Sequence, residues 1–105
     1  MTTYKDLEMN VIRWAEAEAR RIIPNSTPQA QFIKAVSEMG ELADGIAKND
    51  RELIKDSVGD VLVCIINMCA LLDMDVVDCL GHAWNDIKGR TGTMNEQGVF
   101  VRDQK

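Results

Sequence analysis

Ile54-Lys-Asp-Ser-Val-Gly-Asp-Val-Leu-Val-Cys-Ile-Ile-Asn-Met-Cys-Ala-Leu-Leu72 is the stretch that decides the fold. From Val58 onward it is apolar on every side of a helix, so neighbouring helices rather than water are expected to enclose it. Asp60 stands inside that apolar run, with Asp56 one turn before it and Asn67 two turns after it, all on one stripe. A carboxylate enclosed by apolar surface is costly unless a cation or hydrogen-bond donors meet it, and one or the other is expected opposite Asp60.

Working outward, the flanking sequence carries helix signals on both sides. Upstream, Thr27 is a good N-cap and Pro28 suits a first helical position. Phe32, Val36, Met39, Ala43 and Ile46 then recur at helical spacing and predict a core stripe, with Lys34, Glu38 and Glu41 on the far side. This helix is expected to end near Lys48, and Asn49 with Glu52 resembles a capping box opening the central helix. Earlier still, Thr3 with Asp6 predicts a first helix that packs Leu7, Val11 and Trp14 and stops near Ile22 and Ile23, before a turn at Pro24-Asn25-Ser26. Downstream, Asp75 and Asp78 open a helix with Val76, Val77, Leu80, Ala83, Trp84 and Ile87 as its expected buried face, stopped by Gly89 and Gly92. Beyond it, a turn at Asn95 to Gly98 followed by Val99-Phe100-Val101 predicts a short hairpin or an extended tail. The expected fold is all-α: one domain over residues 1–105, a four-helix bundle with that C-terminal appendage.

Composition narrows the function classes. With 46% hydrophobic and 28% charged residues in 105, the chain reads as one soluble globular domain. Met1 to Asn10 lacks the long apolar core of a signal peptide, and the central apolar run is shorter than the ~20 residues that span a membrane. A cytoplasmic protein with no membrane partner is expected. A net charge of −5 argues against a nucleic-acid surface. The three cysteines form no CxxC pair and His82 is the sole histidine, so zinc is not expected.

The carboxylates can now be placed together. Glu38 and Glu41 at ExxE spacing, and Asp56 and Asp60 on the next helix, lie on antiparallel neighbours joined by a short loop. Four oxygen donors without His or Cys describe a site for a hard cation, Mg²⁺ or Mn²⁺, which binds phosphates and keeps several waters. The residues alone leave two readings open, that cation site or a buried Asp60 satisfied by donors beside solvated glutamates. Lys34, one turn before Glu38, is a candidate phosphate contact, with pairing to Glu38 as the plainer role. Lys88 and Arg90 are a second candidate, and their plainer role is to favour the helix C-terminus. Trp14 is a candidate for stacking on a base, although its i+7 spacing from Leu7 favours core packing. Asn67 and Asn85 offer paired donor and acceptor edges for reading a base.

At these same residues the chain resembles a known family. Gln31-x-x-Lys34, Ser37-Glu38-Met39-Gly40-Glu41-Leu42 and Asp56-Ser57-Val58-Gly59-Asp60-Val61-Leu62 look like the signature of the MazG-like nucleoside triphosphate pyrophosphohydrolases. Ala83-Trp84-Asn85-Asp86-Ile87-Lys88-Gly89-Arg90 is similar to the fourth helix of short, phage-type members, and the resemblance runs from about Trp14 to Arg102. It implies an all-α fold assembling as a homodimer or homotetramer, and Mg²⁺-dependent cleavage of (d)NTP to (d)NMP and pyrophosphate. It also implies that Glu38, Glu41 and Asp60 hold the metal and act in catalysis. Two positions depart from the pattern: Ser37 where a first Glu is common, and Ser57 where the Glu of ExxD belongs, with Asp56 as its substitute one residue earlier. A metal-dependent nucleotide-binding or regulatory bundle without turnover is the alternative those departures support. A purely structural helical module, its acids solvated or paired with Lys34 and Lys55, is a third.

Overall fold

The structure is a computed structural model that describes residues 1–103. It contains five helices and a two-stranded hairpin: α1 Tyr4–Glu16, α2 Ile22–Asn25, α3 Pro28–Lys48, α4 Arg51–Leu71, α5 Val76–Ile87, β1 Gly92–Met94 and β2 Phe100–Arg102. The all-α reading holds, with the hairpin as its appendage. Among the described residues, no helix is long and apolar enough to cross a membrane.

Local chemistry sets most of the boundaries. The Thr3 hydroxyl accepts from the Asp6 N–H while Asp6 accepts from the Thr3 N–H, a reciprocal cap that satisfies two otherwise free donors. Thr27 accepts from the Ala30 N–H with Pro28 at the first helical position. Asp75 accepts from the Val77 and Asp78 amides at the start of α5. Two boundaries differ from expectation. The first helix ends at Glu16, and residues Ile22–Asn25, expected as helix end and turn, form the separate short α2, entered through left-handed Arg21 at φ 51°. At the α3–α4 junction it is Asp50, not Asn49, that caps α4. Asn49 instead closes α3 in the left-handed conformation at φ 52°, a role its short polar side chain tolerates.

α3 and α4 form a closely packed antiparallel pair, the largest contact in the molecule. Their approach depends on small residues: Ala35 and Gly45 are the buried residues of α3, and a Cβ on Gly45 would stand 3.1 Å from Ile54 Cγ1. The row of α3 that is turned inward is therefore Gln31, Ala35, Glu38, Leu42 and Gly45. The expected core stripe is overturned, since Phe32, Val36, Met39 and Ile46 are all exposed. Size misled the sequence reading, because this helix buries its small side chains within the chain and leaves the large ones outside.

α4 is also less enclosed than its composition suggests. Four of its five buried residues lie between Cys64 and Cys69, while Val58 and Leu62 are exposed. Tyr4 and Glu8 lie near Cys69, which places α1 over the C-terminal half of α4. The N-terminal half, with Asp56 and Asp60, stays open.

α5 has no buried residue at all. Its expected buried face is covered only at its start: Val76 and Val77 are half-buried, while Leu80 is 60% and Trp84 57% exposed. Polar contacts secure its start: buried Glu8 accepts from the Val76 N–H at 2.9 Å and pairs with Lys5 at 3.1 Å, and Lys5 also pairs with Asp75. Beyond that first turn α5 and the hairpin project as an arm. The radius of gyration, 16.5 Å, exceeds the roughly 13 Å of a compact chain of this length.

Candidate active site

The antiparallel packing of α3 and α4 brings the inward row of one helix against a row of the other that runs through Ser57, Val61 and Cys64. Ser57 and Cys64 are both buried. The Cys64 thiol is pushed above its ordinary pKa by burial first; Lys34 opposes the shift while Glu38 and Asp60 add to it. Those three charged groups, from both helices, thus lie within electrostatic reach of one thiol.

Glu38 is the member held most firmly. Its side chain is 16% exposed, and its hydrogen bond is to Lys34 Nζ at 3.4 Å, a long contact to a side chain that is itself 64% exposed. A largely covered carboxylate with one long, exposed partner retains lone pairs for a further cation or donor. Placing Glu38 on a solvated far side is therefore corrected, because that side is the one packed on α4. The enclosed Asp60 is corrected in the opposite sense. It is exposed, since α1 does not cover this half of α4, and water reaches its carboxylate. Glu41 and Asp56 are exposed on the flanks of the same two helices.

The four carboxylates are not drawn into a closed cluster: among the described residues, no three of His, Cys, Asp or Glu stand close enough to hold a metal ion. Their chemistry nevertheless fits a hard divalent cation. All are carboxylate oxygens on two packed helices, and Glu41, Asp56 and Asp60 are exposed, with oxygens open to an ion. Ser57, buried one turn before Val61, carries no charge to the seam between the helices.

The remaining sequence candidates fall into separate places. Asn85, Lys88 and Arg90 line a cleft of about 1160 Å³ between the end of α5 and the hairpin, together with Phe100 and Arg102. There Lys88 donates to Asn85 Oδ1 at 3.1 Å, and Arg90 pairs with Asp86. Trp14 is exposed rather than core, and the Arg20 guanidinium already covers its ring at 4.8 Å from the centroid. Asn67 is buried on α4. Two buried groups lie outside the residues singled out from the sequence. Cys64 is one, and its i+4 spacing from Asp60 puts it on the same stripe. Glu8, bonded at the start of α5 rather than at this site, is the other, and nothing in its spacing distinguishes it from the solvated charges of α1.

Comparison with known proteins places this geometry in context. Residues 26–92 match the family model described as the MazG nucleotide pyrophosphohydrolase domain. An 18.2 kDa protein from the rep-hol intergenic region of Haemophilus phage HP1 is 42% identical over 78 residues, covering 74% of this chain and 45% of that one. The chain thus spans about half the length of that relative. A solved structure of similar fold covers 98% of this chain and 95% of its own, with a TM-score of 0.72 at 21% identity. It is the cyanophage S-2L MazG-like pyrophosphohydrolase, bound to dGDP and three catalytic Mn²⁺ ions per active site.

Proposed function

The chain belongs to the MazG nucleotide pyrophosphohydrolase domain family, and on that premise we propose that it cleaves nucleoside triphosphates, ribo- or deoxyribo-, to the monophosphate and pyrophosphate. The observation that carries this reading is that Glu38 and Asp60, from two packed helices, lie with Lys34 within electrostatic reach of the buried Cys64 thiol. Nucleotide and divalent metal bound to the similar cyanophage protein support the same ligand class.

Glu38, Glu41, Asp56 and Asp60 would hold Mg²⁺ or Mn²⁺ at the α3–α4 seam. A divalent ion supplies neutralisation of charge that grows on the phosphate oxygens. The chain's own groups do the rest. Water attacks the α-phosphorus, the bridging α–β P–O bond breaks with its electron pair leaving on pyrophosphate, and Glu38 takes the proton from the attacking water. Glu38 suits that role because its covered position holds it in place, while the exposed carboxylates are free to follow the ion. Lys34 exchanges its long contact with Glu38 for a phosphate oxygen. Lys88 and Arg90 offer further phosphate contacts in the α5 cleft.

The arm supports assembly as a homodimer or homotetramer. Leu80, Trp84 and Ile87 on α5, with Phe32, Val36, Met39 and Ile46 on α3, leave more large apolar surface bare than a monomer of this size carries. A second reading, nucleotide binding without turnover, rests on Ser57, which is buried and uncharged where the family pattern has Glu.

Product analysis tests the proposal. The protein is incubated with a panel of NTPs and dNTPs and with Mg²⁺ or Mn²⁺, alongside Glu41→Ala and Asp60→Ala. Monophosphate and pyrophosphate are expected from wild type, with a loss on the order of 10³-fold in both variants. Release of inorganic phosphate would sink the mechanism. No turnover, with the melting temperature still raised by the metal, would leave the binding-only reading.

A further inference from the structure

The α4 stripe that begins at Asp60 continues through Cys64 to Asn67, and its last member does not match the apolar run around it. Asn67 is 2% exposed, and its Oδ1 is buried with no hydrogen-bond partner. Folded proteins leave few such atoms, because a buried acceptor forfeits its hydration without replacement. Leucine at this position would extend the run Val61 to Leu72 with no such penalty. Helix geometry places Asn67 about 10 Å along the axis from Asp60 and about 20° around it. That displacement is of the size of a nucleoside, so a nucleotide with its phosphates at Asp60 would direct its base and sugar along this stripe.

We infer that Asn67 determines nucleoside selectivity, its Oδ1 accepting a hydrogen bond from an N–H of the base or an O–H of the sugar. The inference rests on the proposed nucleotide site. The stripe is open to solvent at Asp60 and buried at Cys64 and Asn67, so a ligand seated at Asp60 reaches the carboxamide where the covering helices give way. A buried polar group that has no partner in the free protein rejects ligands lacking the matching donor far more strongly than an apolar wall does. The orphaned acceptor is thus a cost borne by the empty fold and relieved by the correct nucleoside.

The test uses nucleotide pairs that differ in one donor: dGTP with dITP and dCTP with dUTP for a base amino group, and each NTP with its dNTP for a sugar hydroxyl. Wild type and Asn67→Leu are compared with Mn²⁺ by turnover. Calorimetric binding of the corresponding monophosphates is measured alongside, independently of turnover. Wild type should prefer the donor-bearing member of at least one pair by about 10- to 100-fold. Asn67→Leu should collapse that preference by lowering turnover and binding of the favoured member toward those of the disfavoured one, and its melting temperature without ligand should match or exceed wild type. A base pair or a sugar pair responding identifies the source of the donor. Unchanged ratios in every pair, or a uniform loss for all nucleotides, would overturn the assignment. If Asn67→Leu does not fold, Asn67→Thr and Asn67→Ala report the same ratios. A wild type that binds nucleotide but shows unaltered ratios on substitution removes Asn67 alone. A wild type that neither binds nor hydrolyses any nucleotide removes the nucleotide site and this inference together.

Discussion

The α3–α4 pair and the α5–hairpin arm use apolar residues in opposite ways. Where the two helices of the pair meet, the buried positions are small, Ala35, Gly45, Ser57 and Cys64, with largely covered Glu38 among them, while Ile66, Asn67 and Cys69 are buried further along α4. In the arm, Leu80, Trp84 and Ile87 on α5 and Val99, Phe100 and Val101 in and beside β2 are large, apolar and exposed. The first region closes its seam within the chain and leaves room for charge there, although Phe32, Val36, Met39 and Ile46 stay bare on its outer face. The second buries no residue of α5 and leaves its largest apolar side chains without an internal partner. Hydrophobic content therefore does not rank these regions by their contribution to the fold of one chain; it ranks them by what they need from a neighbour.

The contrast can be broken most directly at the arm. Trp84→Asp combined with Leu80→Asp should shift the protein from oligomer to single chain by light scattering at micromolar concentration. The loss of affinity should be on the order of 10²-fold or more per anchor residue, with helical content retained because neither side chain is buried. An unchanged mass would show that the arm is not an interface.

At the pair, Gly45→Val sharpens the comparison from the other side. The added side chain meets Ile54 Cγ1 at 3.1 Å and the Ile54 backbone nitrogen at 3.2 Å, and the latter cannot rotate away. Urea unfolding should report a loss of about 1–3 kcal/mol. A neutral result would mean that the two helices separate without cost and that close approach is not what organises the seam.

The smallest effect lies where the two regions join. The Lys5 ammonium, bonded to the Asp75 carboxylate, holds Asp75 below its ordinary value of 3.8. A depressed folded pKa gives stability that is full above the ordinary value and is lost as pH falls through the lower folded one. Lys5 is raised above its ordinary 10.5, chiefly by the same bond, so its share is present below that value and fades as pH rises beyond it. Asp75→Asn keeps a side chain that can cap α5 but removes the charge. Its melting temperature should therefore fall less steeply than that of wild type as pH drops below 4, and equal slopes would discard the ion pair as a contributor. Both side chains are solvent-screened, so the difference should be slight.

Legibility followed the range of the interactions. Thr3 with Asp6, Thr27 with Pro28, and Asp75 act within a turn, and those caps were readable from neighbouring letters. The Asn49–Asp50 assignment slipped by one residue because both side chains suit a helix boundary, and only the left-handed backbone at Asn49 separates their roles. Helix one was read too long because Ala15 to Arg21 contains no breaker. The face of α3 could not be read at all from periodicity. Two stripes compete there, and the choice depends on how closely α4 approaches and on apolar surface left for another molecule. The same ambiguity inverted the environments of Glu38 and Asp60, although both remain on the packed pair of helices.

The bond from Glu8 to the Val76 amide bridges 68 positions of sequence. A ribosome adding about 5–20 residues per second therefore exposes Glu8 on the order of 3 to 14 seconds before its partner is made. The surface that α1 covers, Cys64 to Cys69, is itself made only shortly before Val76, so the seating of α1 and the anchoring of α5 are expected to fall together late in synthesis.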